Sequence, residues 1–193
     1  MNDTILGFDP GSRNTGYAVL NKSGNGYVTR DCGVISLAHL DDHSERLQLL
    51  YSSVKELVIT HRPASCAVET PVYGKDPLAM LKLGRAQAAI MLAIINQDIP
   101  VSEYYPKSVK KSITGRGNAG KEQVAYMLRK MITLPEKAIS ADATDALAVA
   151  WCHHLQLASP VRLMGSPTKT HQNRISSSWS EFVKDNEDRI KKG

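Results

Sequence analysis

Residues Thr4 to Leu20 read TILGFDPGSRNTGYAVL. Two apolar runs, Thr4–Asp9 and Thr15–Leu20, are parted by Pro10-Gly11-Ser12, a turn signal. The pattern predicts a strand, a tight turn and a second strand, with the acid Asp9 closing the first. Asn21 to Gly26 (NKSGNG) is again rich in turn formers, and Tyr27 to Leu37 reads as a third strand. Three strands joined by short turns predict an antiparallel meander.

Downstream the period changes. Between Asp42 and His61, Leu47, Leu50, Tyr51, Val54, Leu57 and Val58 recur at three- and four-residue steps, which predicts an amphipathic helix ended by Pro63. Ala64 to Glu69 is a small, apolar fourth strand that also finishes in an acid. Thr70 to Pro77 reads as a loop, and Leu78 to Gln97 as a long helix apolar enough to be largely buried. Pro100 to Tyr105 is a short fifth strand. Pro106 to Gly120 combines cations with Gly115, Gly117 and Gly120 and reads as a mobile basic loop. Lys121 to Met131 and Ala141 to Leu157 read as helices. The order predicts an α/β domain over residues 1–158, a five-stranded mixed sheet (antiparallel meander plus parallel strands) flanked by helices. Residues 159–193 read as a polar C-terminal tail.

Composition narrows the class. The 193 residues are 42% hydrophobic and 22% charged, which excludes wholesale disorder and a fibrous repeat. Three cysteines, Cys32, Cys66 and Cys152, without close spacing fit reduced thiols rather than a disulfide framework or a zinc site. The start, MNDTILGFDPG, shows no secretory pattern, so a cytoplasmic location and no membrane partner are expected. The net charge is +5, and it is not spread evenly. From Tyr105 to Lys130 seven cations (Lys107, Lys110, Lys111, Arg116, Lys121, Arg129, Lys130) face one acid, Glu122. A local field of this kind suits a polyanion such as nucleic acid, although solvated lysines produce the same count.

Four acids stand where a core is expected. Asp9 and Glu69 end apolar strands, where the crevice of an α/β sheet receives its ligands. Asp142 and Asp145 lie three apart on one helix face whose other residues are apolar. Each acid alone has an ordinary reading: a turn start, a solvated strand end, first-turn acids complementing a helix dipole. Together they describe carboxylates converging from three elements, and charges so placed need pairing or a cation. Carboxylates without His or Cys select hard, oxygen-loving ions, Mg2+ with Mn2+ as substitute. Two such ions support phosphodiester hydrolysis. With the basic segment, this predicts a metal-dependent nuclease.

The chain resembles the RuvC Holliday junction resolvases of bacteria, within the RNase H-like superfamily. The resemblance rests on GFDPGSRNTGYAV at Gly7–Val19, VE at Val68–Glu69, LKLGRAQ at Leu81–Gln87 and ADATDALAVA at Ala141–Ala150. It implies an RNase H-like fold and a homodimer that binds a four-way DNA junction and nicks two strands of like polarity. It implies roles in recombination and repair, with branch-migration proteins of that pathway as partners. The family's metal acids fall on Asp9, Glu69, Asp142 and Asp145, and its functional lysines on Lys110 and Lys121. Where some members carry a stacking phenylalanine this chain has Val72, followed by Tyr73; either Tyr73 takes over stacking, or the junction opens differently.

The expected site thus comprises Asp9, Glu69, Asp142 and Asp145 as ligands of two Mg2+ ions, with Lys121 at the scissile phosphate. The expected DNA contacts are Arg13, Tyr73, Lys75, Lys107, Lys110, Lys111 and Arg116. The long helix Leu78–Gln97 is a candidate dimer face. His153 and His154, more than two turns beyond Asp145, are expected on the helix surface or in packing. The rival readings are an RNase H-like ribonuclease acting on RNA–DNA hybrids, a non-catalytic nucleic-acid-binding module and, more remotely, a sugar-kinase-like phosphotransferase.

Overall fold

Side chains of a strand alternate between its two faces. In β1 (Ile5–Asp9) this sends Leu6 and Phe8 to one layer and Ile5, Gly7 and Asp9 to the other. The computed structural model describes residues 3–24, 26–72, 74, 76–135 and 138–158, so the expected tail, Tyr73 and Lys75 lie outside the described residues. The sheet runs β3-β2-β1-β4-β5. Here β2 is Asn14–Ser23, β3 Gly26–Ser36, β4 Ser65–Glu69 and β5 Val101–Tyr104. β1, β2 and β3 are antiparallel neighbours, whereas β1, β4 and β5 are parallel. This is the predicted RNase H-like mixed sheet. The β2–β3 hairpin is longer than expected, because the strands run through Asn21–Ser23 and Gly26 with a bulge at Val19/Leu20.

The Leu6/Phe8 face is covered by α1 (His43–His61) and α2 (Pro77–Ile95). Leu50, Val54 and Val58 of α1 and Ala86, Ile90, Ala93 and Ile94 of α2 enter this layer. Each helix starts on an aspartate whose carboxylate accepts two backbone N–H bonds, Asp42 for α1 and Asp76 for α2. The expectation that α2 is largely buried fails. Only those four of its residues are buried, while Leu78, Leu81, Leu92 and Ile95 are exposed. With 19 residues and a mean hydropathy of 1.6 over 18 of them, α2 has the length and composition of a membrane span. Yet it carries Lys82 and Arg85 and packs its inner edge on the sheet.

The other face is covered by α5 (Ala141–Ala158), with α3 (Pro106–Thr114) and α4 (Lys121–Met131) beside it. The stretch 106–114, expected as a loop, is the helix α3. Pro106 occupies its first turn, Val109 and Ile113 bury one stripe, and Gly115 closes it at φ 75°. The glycines that signalled a loop all lie beyond its last residue.

Small residues let α5 approach the sheet. A Cβ on Gly16 would stand 2.0 Å from the Asp142 carbonyl oxygen, and one on Gly7 2.5 Å from that of Ala146. Both distances are far inside van der Waals contact, so only glycine permits this seating. Gly16 is the ladder partner of Asp9, so the helix is pressed down beside the first acid.

Candidate active site

Asp9 and Glu69 are brought together by the parallel ladder. Phe8 pairs with Val68, which places the next residue of each strand side by side at the carboxyl ends of β1 and β4. α5 delivers Asp145 above them. The three carboxylates line a cavity of about 180 Å³, completed by Lys110, Lys121, Pro106, Val109, Val124 and Ala148. Asp142 is not in its wall, although its charge raises the pKa of Asp9. The structure therefore unites three of the four expected acids and sets the fourth at the flank.

The cavity resists its own negative charge. Burial, and next the charges of Asp145 and Asp142, push Asp9 up to about 7 against the pull of Lys121. Burial, Asp9 and Asp145 likewise push Glu69 up to about 7, opposed by Lys121 and Lys110. Lys121, at the start of α4, donates from Nζ to Asp145 Oδ2, and that hydrogen bond holds its ammonium above the ordinary lysine range. Among the described residues no three His, Cys, Asp or Glu side chains close into a finished metal cage. The donors that are present suit a hard ion all the same. They are carboxylate oxygens, and a divalent cation relieves the repulsion that raises Asp9 and Glu69.

Neighbouring bonds hold the rim. Thr70 N donates to Tyr104 O at 2.8 Å, tying the end of β4 to β5. Glu103 Oε2 accepts from Gln87 Nε2 at 2.6 Å and from Thr70 Oγ1 at 3.4 Å, which links the same edge to α2. The turn after Asp9 is closed by Thr15, whose Oγ1 donates to Gly11 O at 3.2 Å.

The model of the family described as crossover junction endodeoxyribonuclease RuvC matches residues 5–153. The chain belongs to the RuvC family. It is 43% identical over 186 residues to the RuvC of Salinibacter ruber, covering 96% of this chain and 98% of that protein. With the RuvC of Porphyromonas gingivalis it shares 40% identity, covering 97% of this chain and 96% of the relative. Among solved structures, Thermus thermophilus RuvC in complex with Holliday junction substrate superposes with a TM-score of 0.74. The identity there is 29%, over 80% of this chain and 94% of that one. The yeast mitochondrial Holliday junction resolvase Ydc2 shares the fold at a TM-score of 0.63 and 15% identity, over 81% of each chain. As a RuvC-family member the protein is a nuclease of the metal-dependent kind.

The expected DNA contacts divide by position. Lys110 enters the cavity wall, whereas Lys107 and Lys111 of α3, Arg116 after it and Arg13 in the β1–β2 turn are exposed. The sequence reading missed Pro106, Val109 and Val124 as cavity walls. For Val109 the signal was its four-residue step to Ile113, overlooked among lysines and glycines.

Proposed function

We propose that this protein resolves four-way (Holliday) DNA junctions by paired, symmetric nicks, using Mg2+-dependent phosphodiester hydrolysis. The carrying observation is the single cavity in which Asp9, Glu69 and Asp145 meet Lys110 and Lys121, in a chain whose relatives are named crossover junction endodeoxyribonucleases. Asp9, at the end of the central strand β1, together with Glu69 and Asp145 and with Asp142 at the flank, would hold the ions. When bound, such ions activate a water and stabilise the departing 3′ oxygen. Lys121 at the mouth neutralises charge on the scissile phosphate. Lys110 holds an adjacent phosphate oxygen. Lys107, Lys111, Arg116 and Arg13, with Lys75, grip the backbone, which gives affinity without sequence choice. Tyr73 is assigned to stacking on an opened base.

Two cuts on a symmetric junction call for two sites related by a two-fold axis. The outer face of α2 supports a homodimer. Its exposed positions Leu78, Leu81, Arg85, Ala88, Leu92 and Ile95 alternate steps of three and four, the seam spacing of paired helices. The setting is recombination and repair in the bacterial cytoplasm, alongside branch-migration proteins. A cleavage assay tests the reading: a synthetic four-way junction, a linear duplex and an RNA–DNA hybrid, each with and without Mg2+. Junction-selective, metal-dependent cutting that Asp145→Asn abolishes is expected. Preferred cutting of the hybrid would establish a ribonuclease instead, and cutting without divalent ions would remove the metal mechanism.

A further inference from the structure

Apolar contacts are non-directional, so an alanine-rich helix seated on a sheet is poorly fixed along its own axis. α5 is such a helix: Ala143, Ala146, Ala148 and Ala150 are four of its nine buried residues. Its depth is set by Gly7 and Gly16, but depth does not set sliding. Buried hydrogen bonds do, because they are directional and costly to leave unmade. α5 carries one buried group of this kind on the sheet side. His153, 3% exposed, stands 2.8 Å from the Tyr104 hydroxyl through Nδ1 and 2.9 Å from Ser65 Oγ through Nε2. Burial, with the neighbouring His154, lowers its pKa to about 4, so the ring is neutral: one nitrogen donates, the other accepts, and each hydroxyl takes the complementary role. The Tyr104 ring also meets the imidazole edge-on, at 5.7 Å between centroids.

The spacing gives this cluster a consequence. His153 lies eight residues beyond Asp145, about 12 Å along a helix. Ser65 lies four residues before Glu69 on the same face of β4, about 13 Å along a strand. Helix and strand run in opposite senses here, so the two lengths match. Joining His153 to Ser65 at one end brings Asp145 level with Glu69 at the other. We propose that Ser65, Tyr104 and His153 are positioning residues, a register lock that sets α5 against β4 and so fixes Asp145 over the Asp9–Glu69 cavity. The proposal rests on the reading of those acids as a divalent-ion site.

The test is a calorimetric titration of the full chain with Mn2+ alone, without DNA, beside thermal melting. Tyr104→Phe and Ser65→Ala each remove one oxygen and keep the shape, so the fold survives to be measured. Each is expected to weaken Mn2+ binding about tenfold, the usual effect of losing a group that orients metal ligands. Ser65→Thr, which keeps the hydroxyl, stays at the wild-type affinity. Val54→Ala, in the opposite layer, lowers the melting temperature without moving the Mn2+ affinity. If Tyr104→Phe and Ser65→Ala lower the melting temperature and leave Mn2+ affinity untouched, the cluster is structural only and the proposal falls. If the wild-type chain binds no Mn2+, the reading of the acids falls and takes the lock with it.

Discussion

The two faces of the sheet are built from the same strands and are put to opposite uses. Toward α1 and α2 the strands present Leu6, Phe8, Val19, Cys66 and Val68, large apolar groups that fill a layer. Toward α5 the strands also bury Ile5, Ala18 and Leu20, but the positions around the site hold Gly7, Asp9, Gly16, Ala67 and Glu69, small or charged groups. The first face supplies packing energy. The second has a core of its own and turns small or charged only at Gly7, Gly16 and the acids, where a helix comes close and sets an acid beside two others. A boundary of one residue, Phe8 against Asp9, separates the two functions.

Substitutions on either side of that boundary test the contrast. Asp9→Asn is expected to cost about 4 kcal/mol of transition-state stabilisation, on the order of a thousandfold in cleavage rate, while junction binding measured by mobility shift is retained. Phe8→Ala is expected to do the reverse, costing ~3–5 kcal/mol in denaturant unfolding. A slower cut by Phe8→Ala at a temperature where it is folded would blur the division. Gly16→Ala should damage both properties. The clash with the Asp142 carbonyl costs ~1–3 kcal/mol of stability, and cleavage falls as α5 lifts away.

The acids also give the functional face a pH signature that the packing face lacks. Asp9 and Glu69 are raised to about 7 when folded, from 3.8 and 4.5. Between these values the folded chain binds more protons than the unfolded one, so in metal-free buffer stability falls as pH rises toward 7. Melting temperatures across pH 4.5–7.5 should slope downward, and Asp9→Asn should flatten the slope. Smaller effects are expected at the periphery. Leu92→Glu on the exposed seam of α2 should shift the mass in solution from dimer to monomer, read by light scattering. Lys107→Ala should reduce the salt dependence of junction binding by about one unit of slope without altering the cut.

The contrast between the faces also explains what the sequence made legible. Strand order, the β1–β2 turn and the acids at two strand ends were readable because alternation and turn chemistry are local. The helix α3 was not, since its lysines and trailing glycines imitate a loop and its burial depends on α5 lying alongside. The exposed stripe of α2 was hidden for a related reason: a helix apolar on both edges does not announce which edge the sheet will take. Asp142 and Asp145 looked equivalent at three residues apart, and only the seating of α5 on Gly16 sends one into the cavity and leaves the other at its flank. His153 was expected on the helix surface or in packing, and it is buried. Its two hydroxyl partners lie 88 and 49 positions away in the chain, beyond the reach of any local pattern.

The strand order carries one more consequence. The cavity needs Asp9 from the first strand and Asp145 from the last described helix, so it cannot exist until nearly the whole domain has left the ribosome. On the proposed reading, a chain truncated before α5 holds Asp9 and Glu69 but lacks Asp145, and is expected not to cut. The topology thus makes the last described helix, rather than any strand, the element that completes the cavity.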